Sequence, residues 1–153
     1  ALIGLRLGEG DTAGVRRVLG RTVAWGTWFG VIVGALIAAL SGVIGLAFTG
    51  DPDIARLIQP ALLVLAAAQP IAGIVFVLDG VLIGAGDARY LALAGLLNLV
   101  PFAPALWAVT ASGATGAAGL VWLAVAFFGV YMLARFLTLG ARVRGTRWLT
   151  AGA

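Results

Sequence analysis

Four long stretches of the chain carry almost no charge, and this feature limits the possible folds more than any other. The charged residues cluster at 6–21, 51–56, 87–89 and 135–147. The three intervals between these clusters are apolar apart from Asp79, and an uncharged turn at 112–116 divides the last of them into two stretches. Each apolar stretch is close to or longer than the ~20 residues that a helix needs to cross ~30 Å of hydrocarbon. Only 10% of the residues are charged, whereas a soluble domain has about 25%. The sequence therefore predicts an all-α integral membrane protein.

Four transmembrane helices are predicted, at residues 23–48, 54–85, 91–111 and 117–139. Residues 1–139 are expected to form one partial transmembrane lobe, and residues 140–153 a basic cytoplasmic tail. The chain begins at Ala1, in apolar sequence. We therefore expect its first residues to be the end of a fifth helix, and the chain to be a fragment of a longer protein.

The arginines predict how the helices are oriented in the membrane. All ten basic residues are arginines, and nine of them fall on one side of the predicted topology, with Arg56 alone on the other. Basic residues accumulate on the cytoplasmic side of membrane proteins. The four helices are therefore expected to run outward, inward, outward and inward, with the C-terminus in the cytoplasm. Because the arginines flank apolar spans, no nucleic-acid partner is expected.

The residue types present make an enzymatic function a poor explanation. The sequence contains neither cysteine nor histidine, which excludes disulfides, thiolate nucleophiles and the usual zinc sites. Catalysis of hydrolysis or group transfer usually needs a nucleophile with a base, or paired carboxylates. We therefore expect no catalytic residue, no metal ligand and no cofactor.

Asp79 is the one carboxylate inside an apolar span. It precedes Ala85 by six residues, roughly 9 Å along a helix. An ionised Asp at the bilayer centre costs about 2.5–3.5 kcal/mol, so such a group should face the protein interior or a water-filled cavity. Two interpretations stay open: Asp79 binds a proton or another cation on a transport path, or it only bonds a neighbouring helix. The amides of Asn98 and Gln69 are expected to line a cavity or, the more common role, to bridge helices.

Prolines and glycines inside the spans predict kinks and close helix contacts. A proline removes a backbone hydrogen bond, and it is either a hinge for alternating access or a static kink. The candidate hinges are Pro70, Pro101 and Pro104. Glycines spaced by four residues lie on one helix face, where another helix can approach closely. The expected packing glycines are Gly26, Gly30, Gly34, Gly80 and Gly84.

Three segments resemble one transporter family. Residues 1–11 look like a helix exit before a basic connecting loop, and residues 135–148 look like the close of a final helix. The most specific segment is 77–91, which contains Asp79 and the run Gly84-Ala85-Gly86-Asp87. Together they resemble the multidrug and toxic compound extrusion (MATE) family, and residues 77–91 resemble the tenth helix of its DinF-type branch.

The resemblance implies a twelve-helix transporter with two six-helix lobes, of which this chain holds the end of helix eight and helices nine to twelve. Family members exchange protons or sodium ions for organic cations and other amphipathic compounds. The implied partners are the N-terminal lobe of the same polypeptide, membrane lipids and such compounds, and the implied location is the bacterial inner membrane. In many DinF-type members the main coupling carboxylate lies on the first helix, so Asp79 does not simply inherit that role.

Two other functions remain as alternatives. One is a lipid-linked oligosaccharide flippase of the same superfamily, which typically needs several cationic residues in its cavity. The other is a membrane scaffold subunit that transports nothing.

Overall fold

The computed structural model describes residues 2–150, which form helices and connecting turns with no β-strand among them. The helices are α1 (Leu2–Gly8), α2 (Thr12–Ile44), α3 (Pro52–Gly84), α4 (Ala88–Ala111), α5 (Gly116–Ala124) and α6 (Met132–Arg144). A π-helical segment, Val125–Tyr131, joins α5 to α6. Four helical stretches are long and apolar enough to cross a membrane: Thr12–Ala47, Pro52–Gly84, Ala88–Ala111 and Gly116–Arg144. The prediction of an all-α protein with four such helices is confirmed.

The helices extend beyond the predicted spans because hydropathy marks only the part that hydrocarbon surrounds. α2 begins at Thr12 rather than at residue 23, since the carboxylate of Asp11 caps it by accepting a hydrogen bond from the Gly14 amide at 2.8 Å. The last helix continues past residue 139 to Arg144 without a break. The proposed division between lobe and tail at residue 139 therefore does not coincide with a helix end.

α3 is the central helix of the bundle. It packs against α2 on one side and against α5 and α6 on another, while α4 packs on α6 and on the π-helical segment. The short α1 rests on α2 and α3. The apolar side chains that are most fully buried lie near the arginine-rich end of this arrangement, and they include Trp148, Leu82, Leu139 and Val15.

The α2–α3 contact passes over three glycines of α2. A Cβ at Gly34 would lie 2.5 Å from the carbonyl oxygen of Ala66, and one at Gly26 would lie 2.8 Å from that of Gly73. A Cβ at Gly30 would collide with the α3 backbone as well. The two backbones are therefore close enough that even an alanine at these positions would force them apart.

Candidate functional site

Asp79 is bonded to Arg135 of α6. Arg135 donates two hydrogen bonds to the carboxylate, from Nη2 to Oδ1 at 2.7 Å and from Nε to Oδ2 at 3.4 Å. The Asp79 side chain is 22% exposed and that of Arg135 is 16% exposed. Both charges are thus neutralised within a mostly apolar environment, which reduces the cost of placing either one in a membrane span.

The ion pair lines an open cavity between α3, α4 and the last helix, which we call the Asp79 groove. Its volume is about 410 Å³, and its lining includes Val75, Leu91, Gly95 and Tyr131 beside the two charged residues. A Cβ at Gly95 would lie 3.7 Å from Nη1 of Arg135, the nitrogen that makes no bond to Asp79. The groove therefore presents a paired carboxylate and guanidinium on otherwise apolar walls.

A second ion pair lies nearer the end of α6. Arg142 donates from Nε to Asp87 Oδ2 at 2.6 Å and from Nη2 to Asp87 Oδ1 at 3.0 Å. Its guanidinium carbon also lies 4.6 Å from the centre of the Tyr90 ring, within the range of a cation–π contact. This pair joins the start of α4 to α6.

Asn98 lies between the two ion pairs. It is only 1% exposed, and its Oδ1 accepts a hydrogen bond from Thr138 Oγ1 at 3.3 Å. Its Nδ2 finds no hydrogen-bond partner among residues 2–150. Asn98 therefore bridges α4 to α6 and does not line the Asp79 groove.

Aromatic rings stack beside the groove at the π-helical segment. The ring of Tyr131 lies 5.5 Å from that of Phe102 in an edge-to-face arrangement and 5.5 Å from that of Phe127 in a stacked one. π-Helical turns widen the hydrogen-bond ring and occur often at functional sites. Here the wide turn immediately precedes the part of the helix that carries Arg135, and so contributes to the direction in which that side chain points.

The other polar and proline candidates lie away from Asp79. Gln69 donates to the carbonyl of Leu65 on its own helix at 3.4 Å. Pro70 packs against α2, where a Cβ at Gly30 would lie 2.8 Å from its Cα. The remaining two candidate hinges, Pro101 and Pro104, are exposed on α4, and the helix continues through both.

The other two candidate packing glycines, Gly80 and Gly84, do not lie at the α2–α3 contact. A Cβ at Gly84 would lie 3.6 Å from Ile3 of α1, and the carbonyl oxygen of Gly84 would lie 2.9 Å from a Cβ at Gly4. Gly80 is exposed, and apart from its chain neighbours and the adjacent backbone of its own helix, no atom of residues 2–150 would lie within 4 Å of a Cβ there.

Arg135 is the site residue that the sequence interpretation missed. It was counted among the flanking cytoplasmic arginines, but it lies inside the last helix, nine residues before Arg144 and bonded to Asp79. Without Arg135, the predicted topology still places eight arginines on one side and Arg56 on the other, so the expected orientation does not change. Arg135 lies within the predicted span 117–139, and this position could have identified it as a charge inside the membrane that needs a partner.

Comparisons with known proteins agree on one family. The MatE family profile matches residues 1–107. The protein named DETOXIFICATION 45, chloroplastic, of Arabidopsis thaliana is 30% identical over 151 residues, which cover 97% of this chain and 26% of that protein. This chain therefore spans about a quarter of its relative's length, and no solved structure matches it. The chain belongs to the MatE family and is a multi-pass membrane protein.

Proposed function

We propose that this chain is part of the C-terminal lobe of a DinF-type efflux antiporter, which exchanges protons or sodium ions for organic cations or other amphipathic compounds. Membership of the MatE family supports a transporter of toxic compounds rather than an enzyme. The DinF-type branch rests on the resemblance of residues 77–91 to the tenth helix of that branch. The proposed location is the bacterial inner membrane, with the C-terminus in the cytoplasm.

The observation that carries this proposal is the Asp79–Arg135 pair at the wall of an open groove. A proton or sodium ion that binds Asp79 has to compete with the Arg135 guanidinium for the same carboxylate oxygens. Cation binding then releases Arg135 and breaks a contact between α3 and α6. A contact with two alternative arrangements of this kind allows an ion to bias one conformation of the lobe over another.

The alternating-access model requires this lobe to rock against the N-terminal lobe of the same polypeptide. A groove of about 410 Å³ with mainly apolar walls suits part of an amphipathic compound. The tight α2–α3 contact supports motion of these two helices as one rigid unit, whereas the ion-paired α3–α6 contact is the one that a cation can change.

The flippase alternative has less support from this geometry. Recognition of a lipid-linked phosphate would need cationic groups that are free to bind it. Within residues 2–150, the groove contains one arginine, and Asp79 already neutralises it. A membrane scaffold subunit would not need an ion pair at the wall of an open groove, so the scaffold alternative leaves this feature unexplained.

The test uses the full-length protein reconstituted in proteoliposomes. A proton or sodium gradient is imposed, and efflux of a fluorescent organic cation is followed for the wild type and for Asp79→Asn. The wild type should transport, and the variant should lose gradient-driven efflux. Asp53→Asn is the matched control, because that carboxylate is 87% exposed on the first turn of α3. Equal efflux by wild type and Asp79→Asn would remove Asp79 from the coupling path, and no efflux by the wild type would contradict the antiporter itself.

A further inference from the structure

Three arginines surround a small cavity at the corner between α1 and α2, away from the Asp79 groove. Arg6 comes from α1, and Arg17 and Arg21 lie one turn apart on α2. The cavity has a volume of about 120 Å³, and Gly14 and Val18 complete its lining. This space is about four times the ~30 Å³ share of one water molecule, which is enough for a small oxyanion.

The cavity has more positive charge than its surroundings neutralise. Asp11 accepts a hydrogen bond from Arg6 Nη1 at 2.8 Å and another from the Gly14 amide, also at 2.8 Å. The Gly14 hydrogen bond first, and Arg6 in addition, hold the pKa of Asp11 below its ordinary value of 3.8. Asp11 interacts electrostatically with Arg6 and Arg17, whereas three arginines and no carboxylate line the cavity itself.

The unused hydrogen-bond donors point to an anionic ligand. The Nε of Arg6 is buried and has no partner among residues 2–150. Arg17 and Arg21 are exposed and form no ion pair within the same part of the chain. A phosphate group, with several acceptor oxygens and a charge of opposite sign, is the chemistry that such a set of guanidinium groups recognises.

The cavity lies at the depth of lipid headgroups. Arg21 and Arg17 precede the apolar stretch that begins at Val23 by two and six residues, or about 3 and 9 Å along the helix. The polar zone on each side of the hydrocarbon is about 5–7 Å thick. Arg21 therefore lies within this zone, and Arg17 lies about 2 Å beyond its outer edge, a distance that a long arginine side chain can span. Both guanidinium groups can meet the phosphates of the membrane rather than its acyl chains.

An apolar groove begins where the arginine cavity ends. It lies between α2 and α3, has a volume of about 480 Å³, and starts at Thr22, the residue after Arg21. Trp25 and Phe29 follow at one-turn intervals along its wall, with Phe76 of α3 opposite. Val18 of the cavity and Thr22 of the groove are four residues apart on α2. Arg21 and Trp25 have the same spacing, so the two sites follow one another along one face of this helix. This face is cationic at one end and apolar at the other.

We propose that this surface binds an anionic phospholipid, with its phosphate among Arg6, Arg17 and Arg21 and one acyl chain in the α2–α3 groove. Free phosphate shares the headgroup chemistry, but it would leave the apolar half of the surface empty. The charge of the cavity selects an anionic lipid over a neutral one, and the groove holds that lipid next to the α2–α3 contact. This site is independent of the Asp79 groove and of the coupling ion.

The test measures contact between lipid chains and Trp25 of the groove in the full-length protein. The protein is reconstituted in mixtures of phosphatidylglycerol and phosphatidylcholine, with bromine atoms on the chains of one lipid or the other. Brominated chains quench the fluorescence of Trp25, and the local signal is the part that is lost in a Trp25→Phe variant. Brominated phosphatidylglycerol should quench this signal more strongly than brominated phosphatidylcholine at equal mole fraction.

Neutralising the arginines should remove the preference. Each arginine near the membrane surface contributes about fivefold to the association of an anionic lipid, so Arg17→Gln and Arg21→Gln should each lower the preference by about that factor. Both side chains are exposed, so these changes leave the helix packing intact. Arg144→Gln, an exposed arginine at the same end of the bundle, is the matched control and should change nothing.

Three results would overturn the proposal. The first is equal quenching by the two lipids in the wild type, and the second is an unchanged preference in Arg17→Gln and Arg21→Gln. The third is loss of the preference when inorganic phosphate replaces chloride at equal ionic strength, because the cavity would then be a site for the free ion.

Discussion

Neutralising both members of the Asp79–Arg135 pair should destabilise the protein by less than the sum of the two single neutralisations. At 4 Å and an effective dielectric constant of 20, two unit charges attract by about 4 kcal/mol. Breaking a fully buried pair by removing one partner costs about 3–5 kcal/mol, because the other charge stays buried without compensation. These side chains are 22% and 16% exposed. We therefore expect Asp79→Asn and Arg135→Gln each to cost about 2–3 kcal/mol.

A double-mutant cycle isolates the interaction from the separate effects of the two substitutions. Asp79→Asn/Arg135→Gln leaves no unpaired charge, so its cost should fall short of the sum of the single costs by about 2 kcal/mol. The free energy of unfolding is measured for the full-length protein in detergent micelles by titration with dodecyl sulfate, with helix content followed by circular dichroism. A shortfall under about 0.5 kcal/mol would contradict a paired arrangement.

The exposed pair of Asp53 and Arg56 provides the matched control. Its nitrogen and oxygen are 3.1 Å apart, but the two side chains are 87% and 78% exposed. Exposed pairs of this kind contribute about 0.3–0.5 kcal/mol when they lie three or four residues apart on a helix. The same cycle on this pair should therefore give a coupling energy near the limit of measurement.

Further predictions concern packing and capping. Gly30→Ala should destabilise the protein by about 1–3 kcal/mol because the new Cβ meets the α3 backbone. Gly20→Ala, in open space on the same helix, should be neutral or stabilising by up to about 1 kcal/mol. Equal thermal unfolding of the two variants would contradict this expectation. Trp148→Ala should lower the free energy of unfolding by about 3–5 kcal/mol, because this side chain is buried. Trp107→Ala should change it by no more than about 0.5 kcal/mol, because that side chain is exposed. Denaturant titration measures both values. Because the pKa of Asp11 is depressed below 3.8 by a backbone hydrogen bond from the first turn of α2, its charge stabilises the fold above that value and stops doing so as pH falls through the lower folded-state pKa. The difference in melting temperature between wild type and Asp11→Asn should thus be present at neutral pH and shrink in acid, and a pH-independent difference would be evidence against it.

The number and type of helices followed directly from the sequence, because the bilayer sets both the length and the polarity of a spanning helix. The ends of the helices were less accessible. α2 begins at Thr12, where Asp11 provides a cap, although the apolar sequence starts only at Val23. A cap depends on local hydrogen bonds, and hydropathy does not report them.

Asp79 was recognisable as a candidate because it is a charge in an apolar span, but its partner was not. Arg135 also lies within a predicted span, so two opposite charges inside the membrane were already visible in the sequence. Their pairing depends on how α3 packs on α6, which no local pattern specifies. Arg142 follows Arg135 by seven residues, or two turns, and therefore lies on the same face of α6, where it pairs with Asp87.

The burial of Trp148 was another feature that composition concealed. The tryptophan follows three arginines and was assigned to a basic tail, yet it is fully buried. Its Nε1 donates to the carbonyl oxygens of Val143 and Gly145, both at 3.1 Å. A turn after the last helix therefore folds back into the core, which is a tertiary contact that neither charge nor periodicity predicts.

The most direct test of the proposed ion competition is the dependence of transport on the concentration of the coupling cation in Arg135→Gln. Gradient-driven efflux of a fluorescent organic cation is measured in proteoliposomes of the full-length protein over a series of proton or sodium concentrations. If the Arg135 guanidinium competes with the coupling cation for Asp79, its removal should lower the half-saturating cation concentration by about tenfold or more, as expected for a loss of at least ~1.4 kcal/mol of competition. An unchanged half-saturating concentration, in a variant that inserts as well as the wild type, would contradict the account.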